Sequence, residues 1–334
     1  MEYNIGIVNS SSFGKNFPEL LERLEKIGKI DFIKVPGDMR GKELAERMAK
    51  YNILISSVTP FFDKEFFEYK KDLLLISRHG IGYNNIDVEA AKECNTLVTI
   101  VPPLVERDAV AEGAVAILMN IIRKVSESQK AAEENRWSER AKFVGNGITG
   151  KTVGVIGCGN IGSRVAEILK HGFNTTVYAY DPNKNIEWAE KNGIIYTDLE
   201  TLLKESDIIS LNASLNDTSL HMISSEQYKL MKKGVYIVNN ARADLLEEKS
   251  TCEALETGVI KGLAMDVMHT EPADNSHPFF KYDNCIITPH ISAYTYECLR
   301  GMGEKCVDDV ERFISNKEPI CAVTKWYKIK PLNK

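Results

Sequence analysis

The chain has no stretch long and apolar enough to span a bilayer. Its most hydrophobic segment, Ala114 to Ile122, is interrupted by Asn120, well short of the roughly 20 residues required. The start, Met1-Glu2-Tyr3-Asn4, lacks a positive segment followed by an apolar core, so no secretory leader is expected. Cysteine is sparse and scattered, at 94, 158, 252, 285, 298, 306 and 321, without CxxC spacing. That pattern disfavours disulfides and zinc clusters and suits buried, reduced thiols in a cytoplasmic protein. Neither sign of charge forms a block: 42 Lys and Arg face 47 Asp and Glu, for a net charge of −5. A basic footprint for phosphate backbones is therefore missing, and neither nucleic acid nor membrane is expected as a partner. Internal repeats and low-complexity tracts are absent too.

What remains is ordinary globular composition, 43% hydrophobic and 27% charged, in a chain about twice the ~150 residues of a typical domain. Two domains are the natural expectation. Short β-branched runs (Ile5–Val8, Ile30–Val35, Ile53–Ile55, Leu73–Ile76, Thr96–Val101) alternate with amphipathic stretches near 16–28, 41–50, 63–69 and 87–94. Such alternation favours an α/β fold with a mostly parallel sheet. After Pro102-Pro103 a long helical segment is expected over roughly Asp108 to Asn135, on the stripe Val110, Ala114, Ile117, Ile121 and Ile122. A second α/β series starts at Lys151, with strands at 152–156, 176–180, 208–212, 235–239, 263–267 and 286–288. A final helix is expected over 296–316.

The second series opens on Thr152-Val153-Gly154-Val155-Ile156, which runs directly into Gly157-Cys158-Gly159-Asn160-Ile161-Gly162. Strand, glycine turn and helix together form a dinucleotide-binding context. Gly157 allows the tight turn, Gly159 a close approach to pyrophosphate, and Gly162 close packing of helix on strand, while the helix N-terminus favours anionic phosphate. Asp181 ends the next strand, where a carboxylate accepts bonds from the adenosine ribose and repels a 2′-phosphate. NAD is the expected cofactor, with Asn183 and Lys184 leaving room for NADP. The bland alternative is a glycine-rich turn with an acidic cap. Later strand ends carry Arg242, Glu271 and His290, the fixed charge, carboxylate and transferable proton that hydride chemistry uses. Each also admits a structural reason of its own.

Several motifs in order resemble the D-isomer-specific 2-hydroxyacid dehydrogenases over almost the whole chain: Arg78 to Asp87 (RHGIGYNNID), the dinucleotide turn, Asn240-Ala241-Arg242, Asp266-Val267 with Glu271-Pro272, and Thr288-Pro289-His290. The resemblance implies two doubly wound domains: a flavodoxin-like split substrate domain (1–102 with 298–334) and an inserted Rossmann NAD-binding domain (103–297). It also implies a homodimer. Arg242 would bind the substrate carboxylate, His290 would exchange a proton with the 2-oxo oxygen, and Glu271 would orient His290. The Gly80-Ile81-Gly82 backbone would bind the other carboxylate oxygen, with His79 beside it lining the pocket. Asn160 and Ile161 would join the three glycines and Asp181 around the dinucleotide. Ala213, Ser214, Asn240, Ala241 and Asp266 occupy further cofactor positions, Asp266 facing the carboxamide.

Departures from the family pattern include Asn212-Ala213-Ser214 in place of His-x-Pro, Ala243 for the glycine after the arginine, and Gly113 where a histidine is common. Leu104-Val105-Glu106 lacks the aromatic of some lactate-preferring relatives. The resulting expectation is reduction of a small 2-oxo acid to its D-2-hydroxy acid, foremost pyruvate to D-lactate. Phenylpyruvate, branched 2-oxo acids, hydroxypyruvate or glyoxylate, 3-phosphoglycerate, and a non-catalytic NAD-sensing protein are the alternatives. Gly145-Asn146-Gly147 and Tyr296-Glu297 are expected near hinges. His171, His221, His269 and His277 are read as surface or structural residues, Cys158 as a small packing residue, and no metal spacing is discerned.

Overall fold

The β-branched runs become parallel strands in a computed structural model that describes residues 3–325. Five of them, β1 (Tyr3–Val8), β2 (Gly28–Ile33), β3 (Ile53–Ser56), β4 (Leu75–Arg78) and β5 (Leu97–Thr99), form a sheet in the order β2-β1-β3-β4-β5. Ile5 pairs with Ile30 on one side and Ile53 on the other. This is the flavodoxin-like order, whose inner strands are covered on both faces and so read as unbroken apolar runs. The ILIS of β3 is wholly buried.

Seven more strands form the second sheet: β6 (Thr152–Ile156), β7 (Thr176–Tyr180), β8 (Ile195–Tyr196), β9 (Ile208–Leu211), β10 (Val235–Asn239), β11 (Ile260–Met265) and β12 (Cys285–Ile287). Their order is β12-β11-β10-β9-β6-β7-β8. The order reverses beside β6, the topological switch point where open α/β sheets bind ligands. The expected α/β architecture of two doubly wound sheets is thus observed. The two-residue β8 went unnoticed in the sequence, being too short to show a pattern.

Residues up to Glu106 and from Tyr294 onward make one compact unit, and Arg107–Ala293 the other. Residues 1–2 and 326–334, the ends of the expected substrate domain, lie outside the described residues. In the first unit, helix Tyr296–Ile314 packs on β4 and on helix Pro18–Glu25. Buried Asp309 accepts from Ser77 Oγ (2.9 Å), Thr99 and Lys305. A carboxylate taken from water needs such partners. In the second unit, Ala114, Leu118 and Ile121 pack with Val153 and Val165, while Leu202, Leu203, Ile237, Leu245 and Leu263 make a separate core cluster.

The helical segment expected over 108–135 is two helices, Pro103–Arg123 and Val125–Glu133, broken at Lys124 with φ 54°. Its cause is Asn120, whose side-chain oxygen accepts from Ser126 N at 3.0 Å and satisfies a free donor of the second helix. Gly145-Asn146-Gly147 is also corrected as a hinge neighbourhood. It lies inside the second unit, where Asn146 Oδ1 accepts from Tyr236 (3.0 Å) and Lys261 (2.8 Å). No helix among the described residues is long and apolar enough to cross a membrane.

Candidate active site

Because all seven strands of the second sheet run parallel, the loops after them share one edge. The strand order therefore sets out the polar residues in a row: His290 beyond β12, Asp266 after β11, Arg242 after β10, Ala213 after β9, the glycine turn after β6, and Asp181 after β7.

At the glycine turn, Gly157 has φ +84°, and a Cβ there would strike the Ala213 backbone. A Cβ on Gly162 would overlap the Gly157 carbonyl oxygen, so the helix Asn160–Phe173 packs against the turn only because that Cβ is missing. Around Gly159, by contrast, the position of a Cβ is open. Gly159 caps the helix without any side-chain bond to its first N–H groups, which suits an anionic ligand. Asp181 accepts from Cys158 N and Asn183 N, both at 2.7 Å, and is thereby aimed at the turn. Asn212 Oδ1 and Asn240 Oδ1, after β9 and β10, are buried without a hydrogen-bond partner. An open phosphate cradle, an oriented carboxylate and orphaned buried oxygens fit a dinucleotide along this edge. The Ser214 carbonyl accepts from Ser219 Oγ at 2.7 Å. Burial and then the Asp181 charge push the Cys158 thiol up to about 12, which agrees with a packing residue rather than a reactive thiolate.

His290 sits at φ +55°, a left-handed conformation uncommon outside glycine. Asp266, 1% exposed, holds it there by accepting from Thr288 Oγ1 (2.6 Å), Ile291 N (2.9 Å) and Ser292 N (2.8 Å). His290 Nδ1 then meets Glu271 Oε2 at 2.7 Å, and Glu271 Oε1 is held by Met268 N at 2.9 Å. Burial pushes the Glu271 carboxyl up, but the His290 hydrogen bond, the His290 charge, the Met268 N–H and Arg242 outweigh it and hold it below the usual range. Arg242 follows a turn built by fully buried Asn239, which accepts from Ala241 N (3.0 Å) and donates to the Arg242 carbonyl (2.9 Å). An anchored guanidinium, an ionised carboxylate and an imidazole with Nδ1 already engaged form one electrostatic set.

The turn after β4 departs from expectation. Gly80 N donates to the Arg78 carbonyl and Ile81 N to Glu106 Oε1, both at 2.9 Å, so the chain itself engages two of the N–H groups expected to face a substrate carboxylate. Arg78 Nη1 donates to the His79 carbonyl. His79 is buried with its ring edge-on to Phe13 at 5.4 Å between centroids. Burial and then the Arg78 charge push its imidazole down to about 3. His79 is thus a neutral, packed residue whose Nε2 has no hydrogen-bond partner.

Comparison with known proteins accords with this geometry. Residues 115–292 match the profile of the D-isomer specific 2-hydroxyacid dehydrogenase NAD binding domain. A glyoxylate reductase from Thermococcus litoralis is 33% identical over 311 residues, spanning 91% of this chain and 93% of its own. The chain belongs to the D-isomer-specific 2-hydroxyacid dehydrogenases. A D-3-phosphoglycerate dehydrogenase from Archaeoglobus fulgidus is 34% identical over 83% of this chain and 52% of its own. Among solved structures, a D-lactate dehydrogenase from Aquifex aeolicus, complexed with NAD and lactic acid, superposes with a TM-score of 0.84. It is 27% identical and covers 97% of this chain and 100% of its own.

This dehydrogenase is thus an NAD-dependent oxidoreductase acting on 2-hydroxy and 2-oxo acids. Sequence reasoning missed Asn239, which shapes the Arg242 turn, and Thr288 and Ser292, which bind Asp266 beside His290. A polar residue closing an apolar strand, as in Val235–Asn239, was the available signal for the first. Asp266, expected to face the carboxamide, clamps the histidine loop through its three bonds.

Proposed function

We propose that this dehydrogenase reduces an unphosphorylated 2-oxo acid of two or three carbons with NADH, glyoxylate and pyruvate being the two candidates. The observation that carries the reading is the His290 Nδ1 to Glu271 contact of 2.7 Å beside the Arg242 charge. NADH, when bound, supplies the hydride to the 2-carbon. With Nδ1 turned to Glu271, Nε2 is the His290 nitrogen that gives the proton to the 2-oxo oxygen. Arg242 binds the substrate carboxylate through its planar fork and polarises the carbonyl. Glu271, kept ionised, fixes the ring orientation of His290.

Gly157, Gly159, Asn160, Ile161 and Gly162 would hold the pyrophosphate and Asp181 the ribose, which favours NAD over NADP. Ala213, Ser214, Asn240, Ala241 and Asp266 would border the rest of the dinucleotide. Gly82 keeps its proposed substrate contact. Glu106, bonded to Ile81 N, adds negative charge at that turn, and Arg78 is turned onto the His79 carbonyl. Both weigh against a phosphorylated substrate. Pyruvate now shares its place with glyoxylate because the Thermococcus litoralis relative is named a glyoxylate reductase.

NADH oxidation should be followed with glyoxylate, pyruvate, hydroxypyruvate, phenylpyruvate, a branched 2-oxo acid and 3-phosphohydroxypyruvate. We expect the highest kcat/KM with glyoxylate or pyruvate. Preference for a bulky or phosphorylated acid would overturn the substrate reading, and inertness toward all six would overturn the residue roles. A homodimer is proposed as well, supported by exposed Val125, Trp137 (71%) and Val144 (76%) in the second unit. A monomeric mass by light scattering would refute it.

A further inference from the structure

Helix Glu248–Glu256 follows the Arg242 loop, and its first residue meets two histidines from the segment after β11. His277 Nε2 lies 3.1 Å, and His269 Nδ1 3.6 Å, from the same Glu248 Oε2. The imidazole rings stack, with centroids 5.7 Å apart and planes 10° from parallel, and the His277 ring meets Phe279 edge-on. The two histidine side chains are mostly buried, whereas Glu248 is half exposed and leaves a route to solvent.

The polar atoms are poorly served as they stand. Both ring nitrogens of His269 are buried without a hydrogen-bond partner, and His277 Nε2 has only the 3.1 Å approach of the Glu248 carboxylate. Orphaned buried nitrogens are uncommon in folded proteins and call for an explanation, an ion among them. One donor atom from each of the three residues lies within 4.8 Å of the other two. Tetrahedral zinc, with bonds of about 2.0–2.1 Å, sets its donor atoms about 3.3 Å apart. The two separations from Glu248 bracket that value, and the His269 and His277 donors lie within 4.8 Å of each other, so the site closes when the stacked imidazoles rotate to bring both ring nitrogens onto one point.

We propose that Glu248, His269 and His277 bind a divalent transition metal ion of the zinc class. Two imidazoles and one carboxylate are a zinc donor set, whereas calcium and magnesium take oxygen ligands. Water fills the fourth position on the Glu248 side. Binding through His277 Nε2 puts the ring proton on Nδ1, which gives up the 3.3 Å bond from Phe279 N. The ion joins the helix at Glu248 to the segment that carries Glu271, two residues beyond His269. The sequence hides the site because its ligands come from two elements, with no short zinc spacing. The inference is independent of the substrate reading.

Metal-free, full-length protein is titrated with zinc chloride by calorimetry, and the zinc-loaded form is examined by X-ray absorption. The expected result is one equivalent bound by nitrogen and oxygen donors, with slower hydrogen exchange over 266–280. Glu248→Gln and His277→Gln should each weaken binding by more than the roughly 10–100-fold that follows loss of an outer-shell partner. Glu248→Gln changes a half-exposed side chain and keeps the fold testable. No bound equivalent, sulfur in the coordination shell, or undiminished binding in both variants would overturn the proposal.

Discussion

Two glycine-bearing turns, Arg78–Gly82 after β4 and Gly157–Gly162 after β6, look alike in sequence and end in opposite states. In the first, Gly80 N and Ile81 N are taken by Arg78 and Glu106 of the same unit. In the second, Gly157 N and Cys158 N are likewise taken, by the Tyr180 carbonyl and Asp181, but the helix start beyond them has no side-chain cap and the space around Gly159 is open. Glycine spacing reports that something approaches the backbone closely, and the surrounding side chains decide whether that something is the protein itself. Two histidines, one beside the first turn and one at the far end of the second sheet, divide in a similar way. His79 is buried beside Phe13 and the Arg78 charge and stays neutral, whereas His290 has a carboxylate on Nδ1 and a second nitrogen available for chemistry.

The largest test of this contrast replaces His290. His290→Ala removes the proton donor but leaves the glycine turn intact. We expect kcat to fall by about 10²–10⁴-fold with the NADH dissociation constant, read by nucleotide fluorescence, nearly unchanged. Near-normal turnover would break the assignment of the proton to this ring.

Next is the open turn. Gly162→Val forces a side chain against the Gly157 carbonyl, a crowding that typically costs about 1–3 kcal/mol. NADH affinity should drop by roughly 10- to 100-fold, measured by calorimetry. Full affinity would mean that the turn does not hold the dinucleotide.

The closed region is probed by pH. With its folded value near 3 against an ordinary 6.5, His79 takes up its proton more readily in the unfolded chain. Its effect on stability is therefore nil above about pH 6.5 and becomes destabilising as pH falls from there toward 3, by at most about 1.4 kcal/mol per pH unit. His79→Phe keeps an aromatic ring against Phe13 and should flatten that slope in denaturant melts between pH 6.5 and 5. An unchanged slope would show that other groups set it.

Local pattern made much of this protein legible. The strand, glycine turn and helix at 152–173 are consecutive, and each residue type there is dictated by neighbours a few positions away. The acid at 181 and the charged strand ends at 242, 271 and 290 are likewise marked by position after apolar runs. The break at Lys124 was invisible because it depends on a side chain from the preceding turn, Asn120, reaching Ser126. The clamp of Asp266 on Ile291 and Ser292 spans more than twenty residues, as does the approach of Glu106 to Ile81.

The sequence by itself therefore determined the two parallel α/β series, the dinucleotide turn and the chemical types at the strand ends, since hydrophobic period and glycine spacing act over short distances along the chain. Only the tertiary structure decided which N–H groups are already satisfied, which histidine is neutral, and that Glu248, His269 and His277 face one another. Hydrogen-bond satisfaction and desolvation depend on residues brought together by folding, and no local pattern encodes them.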